Sequence, residues 1–276
     1  MPNALPYVIG AVEIVFALAG IVLLWRQVLR PAARSRRGPS RLAPWETSPV
    51  DFFTFLLMVM GASFLAAAAA GLAGRSFGVR GDALTVLSGA CAQLGMLAGV
   101  VAYRLGVEKS PAAPAPAQSG IFTSGFVTFL ISLPILIATA NVWEFLLNQL
   151  GLPTGRQDLI GMFANADSRW LLGVMIALAV VVAPLTEELV FRAGIFRFLR
   201  TRIPRWIALV LPAVFFALLH VNWDTLQGLA SLAPLTVLAV VFSLAYERSG
   251  HIGTPMVAHA CFNLNTIGVI FSGLDT

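Results

Sequence analysis

The sequence predicts an all-α, polytopic bundle of transmembrane helices with about eight spans. Hydrophobic residues make up 58% of the 276-residue chain and charged residues only 11%, far below the roughly 25% usual in soluble domains. Mean hydropathy is +0.84. The apolar residues gather into runs long enough to cross a bilayer, which takes about 20 residues per helix. Eight such runs are found, at 5–25, 52–74, 83–104, 121–147, 170–202, 206–221, 229–246 and 252–272.

The first run has no basic residue ahead of it, so it reads as a retained helix and not as a cleaved signal peptide. Its basic residues follow, as Arg26, Arg30, Arg34, Arg36, Arg37 and Arg41. The positive-inside rule places this cluster in the cytoplasm and the N-terminus outside, and eight spans return the C-terminus to the outside. In the second run, Ala66–Ala70 offers a small-residue surface suited to close helix packing. After the third run, the Pro/Ala stretch 111–120 cannot be helical throughout and divides the chain into residues 1–110 and 121–276.

All the candidate membrane-embedded chemistry lies in that second part. The fourth run carries Asn141 and Glu144 at its outer end, where interfacial placement is expected. A second basic cluster, Arg197, Arg200, Arg202 and Arg205, follows the long fifth run and falls on the cytoplasmic side in the same topology. The sixth and seventh runs are short. His251 sits at the turn before the last run and reads as a loop residue.

The net charge of +5 fits arginine-rich loops at a membrane surface; the lipid bilayer is the expected partner and nucleic acid is not. One lysine (Lys109) among 18 basic residues suggests GC-rich bacterial coding and hence a bacterial plasma membrane. Cys91 and Cys261, both in apolar runs, form no disulfide framework and no CxxC knuckle.

Against this background the fifth run stands out, because it holds Glu187 and Glu188 side by side with Arg192 four residues on. Each charge at bilayer depth costs roughly 2.5–3.5 kcal/mol on the gentlest scale, which marks such residues as functional. If the chain turns near 203–204, Glu187 and His220 each lie about 16 residues from the bend. At 1.5 Å per residue, an antiparallel pair then brings them level. A second hairpin near Ser249 and Gly250 raises His259 and Asn263 toward the same depth, on one helix face at i and i+4.

Adjacent residues point about 100° apart around a helix, so Glu187 and Glu188 cannot share a role. The i, i+4 spacing pairs Glu188 with Arg192, leaving Glu187 to face the cavity as a base. A purely structural buried network is the alternative.

The ordered motifs EExxxR (Glu187, Glu188, Arg192), FxxxH (Phe216, His220) and HxxxN (His259, Asn263) resemble the CAAX-processing and bacteriocin-processing (CPBP, or Abi) family of intramembrane proteases. The resemblance covers roughly residues 120–272 and makes 121–276 a catalytic helix bundle. It implies an intramembrane endopeptidase that hydrolyses a peptide bond of a membrane-associated peptide or protein tail. Carried onto this chain, it implies that Glu187 activates water and His220 positions that water. His259 and Asn263 would stabilise the oxyanion, with Glu188, Arg192 and Phe216 in support.

No cofactor is required on this reading. The family is often described as metalloproteases, however, and Glu187, His220 and His259 would make an acceptable three-ligand zinc set. No HExxH helix is present. The alternative from another class is a non-catalytic membrane scaffold that keeps the family fold.

Overall fold

The computed structural model describes residues 4–35, 38, 40–108, 120–153, 163, 168–223 and 225–274. Each of the eight apolar runs forms a helix: α1 Leu5–Leu24, α2 Pro49–Ser76, α3 Gly81–Gly106, α4 Ile121–Gln149, α5 Arg169–Arg200, α6 Arg205–His220, α7 Leu232–Ser249 and α8 Gly253–Ser272. No strand occurs among the described residues, so the all-α prediction holds. Six segments are long and apolar enough to cross a membrane: α1 extended to Leu29, α2, α3, α4, α5, and α7 taken with the short 3₁₀ turn before it. α6, with 16 residues, is shorter. Many large apolar side chains face outward, among them Leu57 at 74% and Phe64 at 72% exposure, as a lipid-facing surface demands. The Pro/Ala linker lies outside the described residues except for Gly120, whose left-handed backbone (φ 106°) precedes α4.

Helix ends follow local chemistry. Ser48 caps α2 by accepting from the Asp51 N–H, with Pro49 at the first helical position. Pro204 stops the α5–α6 turn and starts α6, as the sequence predicts. Gly250 takes the left-handed conformation that ends α7, with φ 71°.

α2 and α3 form a tight hairpin because Gly95 and Gly99 present bare backbone. A Cβ on Gly99 would lie 2.6 Å from Val59 Cα, and one on Gly95 would lie 2.5 Å from the Ala62 carbonyl oxygen. The small-residue tract of α2 takes part, since Ala66 also faces Gly95.

Two stretches of α5 are wound wider than an α-helix, Leu178–Val182 and Glu188–Phe196. Pro184 explains the first: it has no N–H for the Val180 carbonyl, and its ring crowds that turn. The second carries the charged residues, and such widened turns recur at functional sites.

The basic clusters gather at one pole. Arg197 donates to the carbonyls of Ala43 and Pro44, and Arg202 to those of Trp45 and Thr47. Glu247, 3% exposed at the end of α7, takes Arg200 at 2.6 Å and Arg205 at 2.7 Å. The Arg41 backbone N–H donates to the Glu247 carbonyl. Just inside this pole lies an aromatic core in which Phe52 stacks on Phe198 at 3.7 Å and Trp45 meets Phe55 edge-on.

Candidate active site

Glu187 is almost enclosed, at 7% exposure. Its Oε2 faces two imidazoles, with His220 Nε2 at 3.7 Å and His259 Nε2 at 3.9 Å. Helix rise alone levels Glu187 with His220, as found here. The same count leaves His259 roughly 13 Å from its turn, against roughly 24 Å for the other two, so its arrival at Glu187 is a finding of the structure. Both nitrogen–oxygen separations exceed a direct hydrogen bond and match the reach of one bridging water.

Each ring is held from behind. His220 Nδ1 donates to the Phe216 carbonyl at 2.7 Å, and His259 Nδ1 donates to Glu188 Oε1 at 2.9 Å. With Nδ1 committed, both rings turn Nε2 toward the same carboxylate oxygen. The His220 side chain keeps 33% of its surface exposed and that of His259 only 6%.

Glu188 and Arg192 form the expected pair, with Arg192 Nη1 2.9 Å from Glu188 Oε1. Glu188 is wholly buried and Arg192 is 1% exposed. The guanidinium also donates to the Ala239 carbonyl at 3.3 Å and lies over the rings of Phe216 (4.8 Å) and Phe242 (5.4 Å). Phe216 packs on the His220 ring at 4.2 Å and Phe242 on the His259 ring at 5.2 Å. Aromatic walls thus fix both the cation and the imidazoles.

Asn263 lines the same cavity, on the His259 face of α8. Its Nδ2 donates to the Ala179 carbonyl at 2.7 Å, a carbonyl inside the first widened turn of α5. One of its two N–H groups is therefore engaged by the helix that also carries Glu187.

The sequence reading missed Gln93. It comes from α3, outside the segment where the chemistry was expected, and its Nε2 donates to Glu187 Oε1 at 3.0 Å. Thr186 donates its hydroxyl to Gln93 Oε1, which turns the amide so that its NH₂ faces Glu187. One oxygen of Glu187 is thereby occupied, and the other is left for the histidines. The available signal was an amide at the middle of an apolar span, two residues before the Gly95/Gly99 pair.

His251 is a turn residue, as expected; its Nδ1 accepts from the Gly253 N–H at 3.0 Å. Among the described residues, no group of three or more His, Cys, Asp or Glu side chains is arranged to hold a metal ion. Glu187, His220 and His259 have suitable donor chemistry for zinc but do not form such a centre as placed here.

The cavity has a volume of about 460 Å³ and a largely apolar lining that includes Met175, Leu238 and Phe262. Among the described residues, its polar lining consists of Gln93, Glu187, His220, His259, Asn263, Thr85 and Thr266. A carboxylate with one free oxygen, two imidazole nitrogens aimed at it and an amide on the adjoining wall can take a proton from water. They can also steady negative charge on a carbonyl oxygen.

Residues 169–265 match the family model described as type II CAAX prenyl endopeptidase Rce1-like. The match bears out the resemblance drawn from the three motifs and supports a CAAX-family intramembrane protease. It is narrower than 120–272, running from α5 into α8 and leaving out α3 with Gln93. No curated protein and no solved structure gives a significant match.

Proposed function

We propose that the protein is an intramembrane endopeptidase that hydrolyses a peptide bond of a membrane-associated peptide or protein tail. The observation that carries this reading is Glu187 Oε2 set between the Nε2 atoms of His220 and His259, at 3.7 and 3.9 Å, in a largely apolar cavity. A water there donates one O–H to Glu187 Oε2 and the other to His220 Nε2. A lone pair is left directed at a substrate carbonyl. Glu187 accepts the proton as the water oxygen bonds to the carbonyl carbon, and it returns that proton to the leaving amine nitrogen when the C–N bond breaks. No step is routed through a metal.

The oxyanion formed in between needs donors. Asn263 supplies the N–H not given to Ala179. His259 donates from Nε2 when its ring is doubly protonated, with Glu188 facing Nδ1 as counter-charge. Glu188 and Arg192 thus act through His259 and through the placement of α5.

The test is cleavage of quenched fluorescent peptides, prenylated and plain, by the purified protein in detergent, with Glu187→Gln alongside. Loss of a general base lowers the rate by roughly 10²–10⁴-fold. The expected result is cleavage by the wild type, near-complete loss in Glu187→Gln at unchanged thermal stability, and no effect of a chelator. Loss on chelation with recovery on adding zinc would replace the metal-free mechanism. No cleavage across a broad peptide library would leave the non-catalytic scaffold as the better reading.

A further inference from the structure

The cavity has a direction. From the depth of Glu187 it extends along α3 to Thr85, about one turn from the start of that helix at Gly81. It follows α5 back to Met175, near that helix's beginning, and α8 forward to Ile270, in its last turn. All these helix ends lie at the pole opposite the arginines. α6 stops at His220, and the ring at that helix end is the most exposed group of the catalytic set, at 33% against 9% for Glu187.

Toward the arginine pole the lining of this cavity goes no further along α5 than Glu187. Phe191, Ile195 and Phe198, on the turns of α5 that follow Glu187, are buried with Phe52, Phe55 and Trp45 in one aromatic core.

Charge gives this direction a sign. Arg26, Arg30, Arg34 and Arg41 follow α1, Arg104 ends α3, four arginines join α5 to α6, and Arg248 ends α7. At the opposite pole the described helix ends carry only Arg75, Arg80 and Arg169. The excess of basic residues in short connections marks the cytoplasmic side.

We propose that the site takes its substrate from the extracytoplasmic face. The substrate class is then a translocated peptide, or the exported tail of a membrane protein, and not a C-terminal tail lying in the cytosol. An uncharged, extended apolar segment suits the lining. The term substrate rests on the endopeptidase reading, but the direction of opening does not, so it is tested without any activity measurement.

The experiment uses the full chain, carrying Cys91→Ala and Cys261→Ala, expressed in intact bacterial cells and treated with a membrane-impermeant maleimide. Thr85→Cys reports the cavity. Leu150→Cys, at the end of α4 and 73% exposed, reports the cavity pole; Arg104→Cys, with 57% of its side chain exposed, reports the arginine pole. Expected are labelling of Thr85→Cys and Leu150→Cys in intact cells and labelling of Arg104→Cys only after permeabilisation.

The reverse pattern overturns the proposal, as does a silent Thr85→Cys beside a labelled Leu150→Cys. Thr266→Cys stands in for Thr85→Cys if that variant does not accumulate. Failure of peptide cleavage with the expected labelling would sink the enzymatic reading alone.

Discussion

Replacing Arg192 with methionine keeps most of the side-chain volume and removes the cation buried beside the two glutamates. In the native fold the guanidinium satisfies Glu188 Oε1 at 2.9 Å and the Ala239 carbonyl at 3.3 Å, between the rings of Phe216 and Phe242. Its loss leaves Glu188 wholly buried without its cation, with the His259 Nδ1 contact remaining. Breaking a buried pair in this way costs about 3–5 kcal/mol. That corresponds to a shift of roughly 150- to 5,000-fold in the folding equilibrium.

Removing both charges is a different matter. In the double variant Glu188→Gln/Arg192→Met, His259 keeps an amide oxygen as acceptor and no charge is stranded. Its stability is expected within about 1.5 kcal/mol of wild type. The assay is reversible unfolding in mixed micelles, driven by rising mole fraction of denaturing detergent, on wild type, both singles and the double. A cost under about 1 kcal/mol for Arg192→Met, or strictly additive singles, would refute the claim that Arg192 neutralises Glu188.

Three further outcomes follow from the geometry. Gln93→Met should lower kcat by roughly 10- to 100-fold with little change in KM or thermal stability, because it frees Glu187 to rotate away from the two imidazoles. Steady-state kinetics beside a melting curve separates this from a packing defect. Asn263→Ala should reduce kcat by about 10²–10³-fold, the usual loss for one oxyanion donor, measurable in the same peptide assay. Gly99→Leu should destabilise the fold by about 1–3 kcal/mol, since its Cβ would already lie 2.6 Å from Val59 Cα; unfolding of the variant in mixed micelles tests it.

What could be read from the sequence was whatever depends on spacing within one helix or one hairpin. The Glu188–Arg192 pair follows from i, i+4. The levelling of Glu187 with His220 follows from counting residues on either side of the turn marked by Pro204, whereas the same count from Gly250 leaves His259 short of that depth. What escaped depends on partners far along the chain. Gln93 meets Glu187 across 94 positions and Asn263 meets Ala179 across 84, and no local pattern encodes either contact. Glu247 carries no sequence signal that sets it apart, yet it is the buried anion that gathers Arg200 and Arg205. The widened turns of α5 were also illegible, although Pro184 supplied a cause for the first of them.

The Glu188–Arg192 pair bears on how this chain is made. During synthesis α5 leaves the ribosome before its later partners; His259, which completes the contacts of Glu188, is 71 residues behind. A nascent helix offered to the translocon with two uncompensated carboxylates and a lone guanidinium would partition poorly into lipid. Because anion and cation sit one turn apart on the same helix, the segment carries its own counter-ion through the lateral gate. It arrives in the bilayer with one charge to accommodate in place of three. Variants that break the pair should then be lost at the insertion step, as untranslocated or degraded chains, before any question of catalysis arises.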